Sequence, residues 1–118
     1  MRSFLLLLSF LFIAITGYSQ TNQPVSLLPD STKKMMIVDA ACGQCKLGLP
    51  GKGCNLAVRI DGKAYFVDGT SIDDHGDAHA KEGFCNAIRK ATVQGEIVND
   101  RFKASYFKLV PAVKKPQH

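Results

Sequence analysis

The sequence predicts a mainly β domain with one helix, closed as a small five-stranded barrel. Two pairs of short extended runs flank the turn-forming dipeptides Asp61-Gly62 and Asn99-Asp100. Between the pairs, apolar residues return at helical spacing. A chain of 118 residues, 46% apolar and 21% charged, is enough for one compact domain and too short for two. The same length excludes dinucleotide-binding dehydrogenases, TIM barrels and kinases.

The first segment reads as an address. Arg2 precedes an apolar run from Phe4 to Ile15, and Gly17 and Ser19 put small residues at the positions a signal peptidase reads. Such a run rises only about 18 Å as a helix, against a hydrocarbon core of about 30 Å, so residues 1–19 are expected to be a cleaved signal peptide and not an anchor. The mature chain is expected to begin at Gln20, to be periplasmic or secreted, and to have no membrane span. No cysteine precedes Cys42, which leaves no site for a lipid-modified cysteine. Residues 20–34 are polar, carry Pro24 and Pro29, and read as a flexible linker. Residues 35–110 are the single globular domain, and 111–118 a basic tail.

The formal charge of +5 sits mostly in those flanks. Between Met35 and Val110 ten Lys and Arg face nine Asp and Glu, with both signs interspersed. That is no phosphate-binding stripe, and nucleic acid is not expected as a partner.

Within the domain, Met35 to Asp39 is a short apolar strand. Gly43, Gly48, Pro50, Gly51 and Gly53 then crowd the chain and predict irregular backbone with no helix after Cys45. Asn55–Ile60 and Lys63–Val67 form a hairpin around Asp61-Gly62. A helix is expected from about Asp77 to Lys90, from the spacing of Ala80, Phe84, Ala87, Ile88 and Ala91, with Asp77 as its cap. Thr92–Val98 and Arg101–Val110 form the second hairpin. Three strands, a helix and two strands is the element order of a barrel of the oligonucleotide/oligosaccharide-binding (OB) type. An α+β roll, with the helix packed on an open antiparallel sheet, uses the same elements.

Four cysteines, Cys42, Cys45, Cys54 and Cys85, are spaced C-x2-C-x8-C-x30-C. Three chemistries fit. Two disulfides would staple a small exported core, each contributing typically about 2–4 kcal/mol. A closed metal site, zinc being the candidate, would use Cys42 and Cys45 as a pair whose thiolates and nearby amides face one ion, completed by Cys54 and Cys85. Thiol redox chemistry is suggested by the C-x2-C pair itself. A second candidate surface is the loop containing Asp73, Asp74, His75, Asp77 and His79, where three carboxylates and two imidazoles next to Gly76 suit a divalent metal or a polar ligand. On the expected helix His79 and Cys85 lie about 120° apart and do not share an ion. No catalytic arrangement of Ser, His and carboxylate stands out, and Gly51-Lys52-Gly53 lacks the spacing of a phosphate-binding loop.

Taken together, Cys42-Gly43-Gln44-Cys45, Gly51-Lys52-Gly53-Cys54, Ile60-Asp61-Gly62-Lys63, Asp73-Asp74-His75-Gly76-Asp77-Ala78-His79 and Gly83-Phe84-Cys85 carry a resemblance over about Val38 to Leu109. The chain resembles a family of small exported bacterial proteins of unknown function, mostly from Bacteroidota. The resemblance implies a shared single domain whose cysteines and Asp/His cluster are its working end, and it brings no activity. The expectation is a non-enzymatic binding module for an unknown ligand or divalent metal. The competing class is a thiol-disulfide redox protein using Cys42 and Cys45.

Overall fold

The computed structural model describes residues 24–111. The expected signal peptide and the basic tail beyond Pro111 lie outside the described residues. Five strands close a barrel: β1 (Met36–Cys42), β2 (Leu56–Ile60), β3 (Lys63–Asp68), β4 (Arg89–Val98) and β5 (Arg101–Leu109). Their order around the barrel is β1-β2-β3-β5-β4, with β4 returning to β1, so the open-sheet roll is not what forms. Every seam is antiparallel except the one between β3 and β5, which is parallel and joins Val67 to Phe102 and Asp68 to Lys103. This is the arrangement of a small OB-like barrel.

Both hairpins form where the turn dipeptides place them. Asp61 and Gly62 have φ of 51° and 83°, and Asn99 and Asp100 have φ of 52° and 63°, the left-handed pair that a two-residue turn needs to match strand twist. Phe102 is fully buried in the barrel core, which also holds small residues: Ala40 and Ala91 are 0% exposed and Ala104 3%. Val38, Leu56, Val58, Val67 and Val93 complete the wall, and Ile72, Ala78 and Phe84 pack against it from the long connection between β3 and β4.

The helix is not where its spacing put it. Residues 77–90 contain no helix; they form a series of turns, and β4 already begins at Arg89. Among the described residues the one α-helix, α1, is a single turn at Gly43–Lys46, inside the stretch whose glycines and proline had argued against one. Two physical causes account for the exchange. Pairing of Arg89 and Lys90 with Ala40 and Asp39 pulls the end of the expected helix into the sheet. At the other place, the Cys42 side chain caps α1 by accepting the Cys45 N–H, which suffices for one turn before Gly48 reverses the backbone at φ 73°. A 3-10 turn, Ile72–His75, follows β3.

Residues 24–34, though polar, are tied to the barrel. Val25 N–H donates to Gly69 O at 3.0 Å and Ser26 N–H to Ser105 O at 2.8 Å. The buried side chain of Gln94 accepts the Asp30 N–H at 2.7 Å and donates to the carbonyls of Asp30 and Lys33 at 2.7 and 3.0 Å. Among the described residues no helix is long and apolar enough to cross a membrane.

Candidate metal centre

Backbone pairing delivers the four cysteines to one place. Cys42 ends β1 opposite Leu56, so the residues just before β2 run alongside α1. Gly43 N–H donates to Asn55 O at 2.8 Å, and Cys42 N–H donates to Phe84 O at 3.0 Å. The first bond brings up Cys54 and the second brings up Cys85. Two glycines make these approaches possible. A Cβ on Gly43 would lie 2.8 Å from the Phe66 ring and 3.0 Å from both Ala57 Cβ and Leu49 Cδ1. A Cβ on Gly83 would collide with the backbone carbonyls of Asp77 and Ala78, so the turn that presents Phe84 and Cys85 closes only around a residue without a side chain.

The four Sγ atoms all lie within 4.8 Å of one another. Cys42 is fully buried, Cys54 and Cys85 are half-buried, and Cys45 is exposed. Cys45 N–H donates to Cys42 Sγ at 3.3 Å, the amide-to-sulfur contact that favours a thiolate at the first position of a C-x2-C turn. The shortest contact is between Cys54 Sγ and Cys85 Sγ, at 2.6 Å. Gln44, between the first two cysteines, clamps the loop to Asn55. Its Nε2 donates to Asn55 Oδ1 at 2.7 Å, and its Oε1 accepts the Asn55 N–H at 2.9 Å.

The electrostatics are those of thiols sharing protons. Burial of Cys42 opposes its ionisation, but hydrogen bonds from the Cys45 and Cys54 thiols and from the Cys45 and Gln44 amides outweigh it and bring its pKa below the ordinary thiol value. Cys45 moves the other way because its thiol donates to Cys42, and Cys54 is raised strongly by burial and then by its bonds to Cys42 and Cys85. A divalent cation among the four sulfurs reverses that balance, since coordination deprotonates thiols outright.

The Asp/His loop is built differently. Asp74 Oδ2 accepts the Ser71 N–H at 2.8 Å and the Thr70 hydroxyl at 3.1 Å, and the Ser71 amide is the main reason its carboxyl stays below the usual range. Asp77 Oδ1 accepts the His79 N–H at 2.9 Å, and His79 Nδ1 lies 4.0 Å from the same oxygen, out in solvent. His75 turns inward. Its Nε2 is 2.9 Å from Thr70 Oγ1 and its ring lies 4.6 Å from Phe107 and 6.1 Å from Phe84, centroid to centroid. Asp73 is exposed. Among the described residues the cysteines are the group of three or more metal-ligating side chains that converge, and these five loop residues are not such a group.

Gln44 and Asn55 were invisible to spacing rules. Their only signal is adjacency, one inside the C-x2-C pair and the other directly after Cys54. No curated protein and no solved structure matches the chain. Residues 36–110, from the first residue of β1 to just past the end of β5 and including all four cysteines, match the family of unknown function DUF6370, and the chain belongs to that family.

Proposed function

We propose that the protein is an exported, non-enzymatic binding module whose four cysteines hold one zinc ion. The observation that carries this is the mutual distance of at most 4.8 Å among all four Sγ atoms. A tetrahedral ion with Zn–S of about 2.3 Å sets sulfur to sulfur edges of about 3.8 Å, which such a cluster meets with small side-chain adjustments. Thiolate sulfur without any carboxylate selects a soft or borderline ion over magnesium or calcium. Export rests on Arg2, the Phe4 to Ile15 run and the small residues before Gln20. In that compartment a bound ion would also protect the thiols from oxidation. Mass spectrometry of native protein purified without reductant tests the proposal: one zinc per chain and a mature terminus at Gln20 are expected. Two fewer protons per bridge and no metal would overturn it.

The 2.6 Å contact between Cys54 and Cys85 favours a second reading, in which these two form a disulfide and Cys42 and Cys45 act as a redox pair. That reading ranks lower because the accessibility is reversed. The thiol with the lowered pKa, Cys42, is 0% exposed, and the exposed Cys45 is the one whose pKa its bond to Cys42 raises.

A further inference from the structure

The four sulfurs are all held by backbone contacts but are unequally exposed. Cys42 is fixed by the β1 ladder and by its N–H bond to Phe84 O. Cys54 precedes Asn55, which is bound by Gly43 and twice by Gln44, and Cys85 N–H is bonded to Ala78 O at 2.9 Å. Cys45 rides on a single helical turn that ends at Lys46, and both residues are exposed. A four-cysteine site has no open coordination position, so a further ligand enters only by displacing one of its own sulfurs. Here one sulfur ligand is buried, two are half-buried and the fourth, Cys45, is exposed.

We propose that this exposed corner makes the centre a donor of metal: a thiolate-bearing acceptor enters at Cys45 and the ion passes to it by stepwise thiolate exchange. The inference rests on the metal reading above. In the first step a bond forms between zinc and the acceptor sulfur, and the bond between zinc and Cys45 Sγ breaks. The proton given up by the acceptor thiol ends on Cys45. Zinc stays divalent throughout and nothing is oxidised or reduced. Cys42, Cys54 and Cys85 keep the ion in place during this step because their backbone anchors do not involve Cys45 coordination. A four-thiolate zinc centre is anionic, and Lys46 beside the exchanging sulfur offsets part of the repulsion felt by an incoming thiolate.

The test uses the zinc-loaded mature chain. Native mass spectrometry first records metal content. A short iodoacetamide pulse followed by peptide mapping is then expected to modify Cys45 at least about tenfold faster than Cys42, as exposure controls thiol reactivity. Finally, zinc release is followed against rising concentrations of dithiothreitol and, separately, of a metal-free peptide carrying a C-x2-C pair. The expected rate rises in proportion to acceptor concentration. Proportionality with both identifies thiolate as the acceptor chemistry, and proportionality with one alone identifies a small thiol or a protein as its source. A release rate independent of both acceptors, or equal protection of all four cysteines, overturns the inference while leaving the metal reading intact. A chain that takes up no zinc overturns both.

Discussion

Gln44 and Asn55 face each other across the cysteine cluster and exchange two hydrogen bonds, one side chain to side chain at 2.7 Å and one side chain to backbone at 2.9 Å. Gln44 touches no metal in this arrangement, yet it sets the distance between the Cys42-Cys45 turn and Cys54. Gln44→Ala is expected to lower zinc affinity about 10–100-fold, the usual effect of removing a group that orients ligands. Competition against a chromophoric chelator reads this directly, with circular dichroism showing the barrel retained.

Gly43→Ala places a methyl group 2.8 Å from the Phe66 ring, with Leu49 and Ala57 closing the other sides. Overpacking of this kind costs about 1–3 kcal/mol. The variant should melt several degrees lower, and its metal affinity should fall with it because the Gly43 to Asn55 bond must lengthen.

The metal reading makes stability depend on chelator. For the zinc-loaded chain, an excess of a strong chelator should lower the melting temperature sharply, while a reductant without a thiol, such as a phosphine, should leave it unchanged. Two disulfides would show the opposite order of sensitivity. Differential scanning calorimetry with each reagent separately decides.

His75 gives the fold a pH dependence. Burial against Phe84 and Phe107 holds its pKa below the ordinary imidazole value, with the Asp74 carboxylate opposing in part. The unfolded chain therefore binds this proton more readily than the folded one. Its contribution is fully present above about pH 6.5 and is lost as pH falls from there through the depressed folded value. Urea midpoints measured across this window should decline for the natural chain and decline less for His75→Phe.

Gln94 holds residues 30 to 33 through three hydrogen bonds from a fully buried side chain. Gln94→Leu keeps the volume and removes the bonds, at a cost of about 1–3 kcal/mol. Hydrogen exchange should then show faster exchange at Val25 and Ser26, with the amides of β1 and β2 unaffected.

The parts of this fold governed by local chemistry were legible in the sequence. Asp61-Gly62 and Asn99-Asp100 specify their turns whatever surrounds them, and the alternation of Leu56, Val58 and Ile60 marks a strand by itself. The helix was misplaced because Ala80, Phe84, Ala87, Ile88 and Ala91 satisfy a period of 3.6 without any of them revealing that Arg89 must pair with Ala40. That is a tertiary demand, and it outweighs weak propensity weakened further by Gly83. The site was half legible for a similar reason. Cysteine spacing names the candidates, but their convergence depends on Cys42 N–H finding Phe84 O, a bond between residues 42 positions apart. The Asp/His loop is singled out by its residue types alone, and spacing does not say how its side chains turn. Its hydrogen bonds turn Asp74 and Asp77 toward the loop's own amides and His75 toward the core.

The parallel seam between β3 and β5 is only two residue pairs long, braced by Arg101, whose Nε lies 3.0 Å from both oxygens of Asp68. Chain closure over the intervening loop must be completed before this seam returns any free energy. It is thus the natural last stitch of folding, and until it is made both strands show an unpaired edge to other chains. Closing the barrel joins the two strands, so the hazard of strand-to-strand association belongs to the newly made polypeptide and falls when Asp68 meets Arg101.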